Sequence, residues 1–132
     1  MSFKSSKKSL AAYKGHFNLS EKSFNLLINV RPGPTIEAID KIYAKVQERC
    51  DALFKCLDGI IMQLGDTSAM EQETIDVESE SKTIMEYYDI LITKHSEIET
   101  NYVTYRQTML KMKLPHPYNL RQFKIQENQP LD

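Results

Sequence analysis

The residues with the widest chemical repertoire in this chain are His16, His95 and His116, together with Cys50 and Cys56. A metal-binding or catalytic histidine needs a second ligand or a partner base at suitable spacing. Here the three histidines fall in separate segments, and there is no Cys-x-x-Cys and no His-x-x-x-His pair. His95 falls on a helical seam, where it reads as a satisfied or partly exposed core histidine. A pH-sensitive switch is the sharper alternative. Cys50 and Cys56 lie on one helical stretch, on different faces and too far apart to bridge each other. Cys50 is a seam position and reads as a small buried hydrophobe, and Cys56 beside it as a structural thiol. Reduced thiols point to a cytoplasmic protein. Glu97 and Glu99, two apart, point to different sides of a helix and make no acid–base pair. Four scattered glycines cannot form a phosphate-cradling loop. The expectation is a non-enzyme with no catalytic residue, no metal, no cofactor and no small-molecule substrate.

Chemistry of recognition is better represented. Tyr102, Tyr105, Met109 and Met112 share one helical stripe near the end of the periodic sequence, and aromatic and methionine side chains are what partner surfaces are made of. Lys4, Lys7, Lys8 and Lys14 form the one basic cluster. It offers nucleic acid or an anionic membrane a set of charges, although the chain as a whole has a net charge of −1. The apolar face of residues 3–17 is interrupted by serine, which weakens the membrane reading.

Those side chains must be positioned by helices. The chain has 132 residues, 41% hydrophobic and 27% charged, which suits one globular domain. With four Gly and five Pro it is poor in the turn residues of a β-rich fold. Arg31-Pro32-Gly33-Pro34, Gly65-Asp66-Thr67-Ser68 and Leu114-Pro115-His116-Pro117 divide it into three periodic segments and a tail. The N-terminus has no apolar core of signal-peptide length, Ser2 excludes the N-myristoylation pattern, and no apolar run approaches the roughly 18 residues of a membrane span.

The middle segment is the clearest. Ile36, Ile39, Tyr43, Val46, Cys50, Leu53, Leu57, Ile60 and Leu64 alternate at spacings of three and four. That period keeps one stripe against a neighbour. Ile42, Phe54 and Ile61 widen the stripe, which points to burial against more than one helix. Thr35 is the expected N-cap and Gly65 the expected residue just past the end.

Helix 1 is expected over about 3–29, with Phe3, Leu10, Phe17 and Phe24 seven apart and Ser6 and Ser20 as gaps; two short helices divided near Asn18 or Ser20 are the alternative. Helix 3 is expected over about 70–113, on a seam that includes Met70, Thr74, Val77, Ser81, Ile84, Tyr88, Leu91, His95 and Ile98. Its acidic beginning, residues 66–80, reads as either frayed helix or loop.

The predicted architecture is all-α: an antiparallel three-helix bundle, up-down-up, over residues 1–114, with an extended Pro-containing tail over 115–132 anchored by Tyr118, Leu120 and Phe123. Lys4, Lys7 and Lys8 should then meet Glu71, Glu73, Asp76, Glu78 and Glu80. Helix 2 would measure about 43 Å and a continuous helix 3 about 66 Å, so the end of helix 3 would project and expose its Tyr and Met stripe.

The run Tyr13-Lys14-Gly15-His16-Phe17-Asn18-Leu19-Ser20, followed by a breaker, two long helical segments and Leu114-Pro115, resembles the N-terminal helical region of Gag-like proteins of BEL/Pao-type retrotransposons. The resemblance covers roughly residues 5–117 and rests on common dipeptides. It implies a self-assembling helical module of a structural protein, with no catalytic residues. The chain shows no zinc-knuckle segment, so nucleic-acid binding does not carry over. The favoured function is therefore protein–protein interaction or self-assembly, as a homo-oligomer. The alternative is a basic-surface adaptor for nucleic acid or anionic membrane.

Overall fold

The computed structural model describes residues 2–113, and these are helical apart from short connections. In chain order the helices are α1 (Phe3–Ile28), α2 (Ile36–Leu64), α3 (Thr67–Gln72) and α4 (Val77–Lys113). Residues 114–132, including His116, Tyr118, Leu120 and Phe123 of the expected tail, lie outside the described residues.

Each start has a local cause. Ser2 caps α1 by accepting the Ser5 N–H at 3.1 Å, and Thr35 caps α2 by accepting the Ala38 N–H at 3.1 Å. Glu37 adds a negative charge at the positive end of α2. The helix ends where Gly65 takes up ordinary right-handed backbone, φ −76°, rather than the left-handed cap expected from its sequence position.

Contacts across the helices fix their directions. Phe24 meets Tyr43, and the His16 carbonyl meets Arg49, so α1 and α2 run in opposite senses. Tyr88 packs on Phe54, His95 on Gln47 and Tyr102 on Asp40, so α4 also runs against α2. Lys7 with Glu80 and Glu21 with Lys94 place α1 and α4 in the same sense. The core between them contains Phe3, Leu10, Phe17 and Phe24 from α1 and Ile84, Leu91 and Ile98 from α4. Between those stripes lies the α2 seam from Ile39 to Leu64. Fully burying one such side chain contributes about 1.5–3 kcal/mol, so this seam dominates the stability.

Two features depart from the heptad reading. Ser6 and Ser20, expected as gaps, are buried, while Tyr13, three residues after the buried Leu10 and so at the intermediate position of the same 3-4 spacing, is exposed. The small Ser20 side chain lets Arg49 of α2 reach across. The Arg49 guanidinium donates to Ser20 Oγ at 2.6 Å and to the His16 carbonyl at 3.1 Å.

The expected helix over 70–113 is two helices. Thr74 sits at φ 55°, a left-handed position unfavourable for a β-branched residue, and the chain turns there. Three neighbours hold the turn. Glu73 accepts the Phe3 N–H on both carboxylate oxygens at 3.1 and 3.2 Å, capping the positive start of α1. Ile75 packs against the core, and Asp76 accepts the Ser79 N–H at 3.2 Å to start α4. The acidic run is therefore divided among caps and a turn.

Candidate interaction surface

The last turns of α4 are held to the start of α2 by aromatic hydroxyls and one ion pair. The Tyr102 ring stacks parallel on Tyr43 with centroids 3.8 Å apart. Its hydroxyl donates to Asp40 at 2.6 Å, and Arg106 donates to both Asp40 oxygens at 3.1 and 3.3 Å. Arg106, and then the Tyr102 hydroxyl, hold the Asp40 carboxyl below its ordinary value of 3.8. The same bond to Asp40, with some burial, raises the Tyr102 phenol above 10.

A turn earlier the network continues. The Gln47 amide nitrogen donates to the Tyr43 hydroxyl, so its oxygen faces His95 Nε2 at 2.7 Å. That assigns the proton to Nε2 of His95. His95 is half-buried, its ring edge-on to Phe54, as the satisfied-histidine reading expects.

Tyr105 is committed to the breaker loop. Its hydroxyl donates to the Pro34 carbonyl at 2.7 Å. A Cβ on Gly33 would collide with that hydroxyl and come within 3.3 Å of the ring. Glycine is needed at 33 because the phenol occupies the space a side chain would take.

The four residues expected to form one interaction stripe are thus divided. Tyr102 and Tyr105 are half-buried ties. Met109 and Met112 line a cleft of about 480 Å³ between the end of α1, the breaker loop and late α4, with Ile28, Arg31 and Gly33 on the other walls. Met112 is 73% exposed, and Val103 and Leu110 on the same stretch are also exposed. Neither Val103 nor Leu110 belongs to the seam pattern, so periodicity marks neither.

The basic cluster is divided too. Lys7 pairs with Glu80 at 3.0 Å, and the Lys14 ammonium lies 4.0 Å above the Tyr87 ring. Lys4, Lys7 and Lys8 share a cleft of about 610 Å³ with Glu73, Asp76 and Glu80. The acids that the charge pattern placed there offset the lysines, which disfavours a nucleic-acid or anionic-lipid site on this side.

The thiols are quiescent. Burial pushes Cys50 up to about 12 and also raises Cys56, so neither is a ready thiolate. His16 is exposed and packs edge-on to Tyr13. Among the described residues no group of three or more His, Cys, Asp or Glu could hold a metal, and no described helix is long and apolar enough to cross a membrane. Comparison with family models, with curated proteins and with solved structures finds no match to this chain.

Proposed function

We propose that the chain is a non-enzymatic helical module that works by protein–protein contact, and that its partner is another copy of itself. In this reading α1, α2 and α4 make an antiparallel three-helix bundle, with the cytoplasm as its compartment. The observation that carries the proposal is the outer side of late α4. There Val103 and Leu110 stand exposed on a stretch that Tyr102, Tyr105 and Arg106 clamp to the rest of the molecule. A clamped apolar surface meets a partner without first ordering itself, which keeps the entropic cost of association low. The Gag-like resemblance belongs to the same proposal, since it too implies self-assembly.

The basic-surface adaptor is the weaker reading, because Lys7 is paired with Glu80, Lys14 lies over Tyr87, and Lys4 and Lys8 border a cleft that also holds Glu73 and Asp76. Sedimentation velocity on the full chain from low to high micromolar concentration tests the proposal. The expected result is a sedimentation coefficient that rises with concentration. A strict monomer throughout would overturn it.

A further inference from the structure

Charge is distributed unevenly along this nearly neutral chain. α1 carries Lys4, Lys7, Lys8, Lys14 and Lys22 against Glu21 alone, and Glu21 is paired with Lys94. Residues 66–80 carry six acids and no basic residue. Two exposed apolar stripes lie within this pattern, and their surroundings differ in sign.

The first stripe is on α1. Phe24 and Ser20 face α2, and Lys7, Lys14 and Glu21 face α4. Helical spacing puts Leu19 and Leu26, seven apart, on the side away from both. They are 62% and 64% exposed. Gly15 stands one turn before Leu19, and a Cβ there would meet nothing within 4 Å. Nothing inside the chain requires a glycine at that place, and a glycine on an outer helix face admits close approach by another backbone. The charges on this face are Lys4, Lys8 and Lys22.

The second stripe is on α4. Met85, Ile92, Val103 and Leu110 are all exposed and share one side of the helix at intervals of seven, eleven and seven. This side flanks Tyr88, His95 and Arg106, which meet α2, and is turned away from Tyr87 and Lys94, which meet α1. Glu78 and Glu99 stand within it, Asp89 and Lys82 lie beside each other on its edge, and Lys111 is further round the helix.

We infer that these are the two halves of one interface, so that the basic apolar face of α1 in one copy docks on the acidic apolar flank of α4 in the next. The inference rests on the self-association proposed above and specifies its geometry. Opposite charge on matching apolar stripes favours this pairing, whereas α1 on α1 would bring Lys8 and Lys22 toward their own copies. Because the two surfaces differ, the contact is head-to-tail and each copy keeps one face free, which extends the assembly into a ring or a filament.

Two double variants of the full chain test this: Leu19→Asp with Leu26→Asp, and Ile92→Asp with Val103→Asp. All four positions are exposed, so circular dichroism should match the parent. Each variant alone should sediment as a monomer where the parent associates, its dissociation constant raised by about tenfold or more. An equimolar mixture should then form a species of twice the chain mass and no larger, since one good face of each remains. Added salt should weaken that dimer. A parent that associates while the mixture stays monomeric would overturn the head-to-tail contact and leave self-association standing. A parent that is monomeric would overturn both. Retention of the parent on anionic phospholipid vesicles, lost in the Leu19/Leu26 variant while the mixture fails to pair, would also overturn it and assign the α1 face to a membrane.

Discussion

Along α2, Ile39, Val46, Cys50, Leu53, Leu57, Ile60 and Leu64 are all sealed from water, whereas along α4 the sealed residues are Ile84, Leu91 and Ile98. Both helices carry apolar residues at spacings of three and four. The difference comes from their neighbours. α2 has α1 on one side and α4 on the other, so both rows of its stripe are covered. α4 rests chiefly on α2, and one row of its stripe suffices for that contact. The second row is taken over by Tyr88, His95, Tyr102 and Tyr105, which combine an apolar ring with a polar end that finds a hydrogen bond. In these two helices the apolar period sets the stripe, while the number of packed neighbours decides how much of it disappears from view. α2 is a scaffold, and α4 is left with surface to spare.

The comparison can be broken most forcefully at Leu53. A charge placed there by Leu53→Asp is buried at mid-seam without a partner and should cost more than about 4 kcal/mol, enough to unfold the chain. Leu110→Asp on late α4 should change monomer stability by less than about 0.5 kcal/mol. Urea melts of the two variants check this. Similar midpoints would mean that α2 and α4 are not the closed and open helices described.

The breaker loop sharpens the comparison at intermediate cost. Gly33→Ala places a methyl group against the Tyr105 hydroxyl, and relieving that clash should cost about 1–3 kcal/mol. Tyr105→Phe in the Gly33→Ala background should recover part of the loss, because the colliding oxygen is gone. A thermal melt of the single and double variants reads this directly.

The smallest effect is the pH dependence of the tie at Asp40. The native carboxyl lies below its ordinary value, so its contribution is complete above pH 3.8 and is lost as pH falls through the still lower native value. The Tyr102 phenol is shifted the other way. Its contribution is complete below pH 10 and is lost as pH rises through the higher native value. Asp40→Asn should therefore show a shallower loss of stability below pH 3.8 than the parent, and in it Tyr102 should ionise at lower pH. Urea midpoints across the acid range and tyrosinate absorbance across the alkaline range measure the two arms.

Much of the frame is legible in the sequence. The breaker at Pro32-Gly33-Pro34, the Thr35 cap and the α2 seam are all local signals, because a period, a cap and a proline act within a few residues of themselves. The seven-residue spacing of Phe3, Leu10, Phe17 and Phe24 likewise marks a helix that runs unbroken through Gly15. What was hidden depends on partners far away in the chain. Glu73 caps a helix seventy residues earlier, and only that contact, with Ile75 and Asp76, accounts for a turn in an otherwise helical stretch. Ser20 looks like a gap until Arg49 reaches it across the interface. The Tyr102 and Tyr105 hydroxyls look available until Asp40 and Pro34 are seen to accept from them. Of the expected interaction stripe Tyr105, Met109 and Met112 line the late α4 cleft, and Val103 and Leu110, off the seam, supply the surface that periodicity did not mark.

The division between a closed α2 and an open α4 is tested most directly by methionine methyl NMR over a concentration series. Met85, on the exposed flank of α4, should shift progressively as the chain associates. Met62, the exposed methionine of α2, and Met70, buried in the core on α3, should not move. A fixed Met85 resonance at millimolar concentration, or Met62 and Met70 resonances that shift with it, would contradict the account.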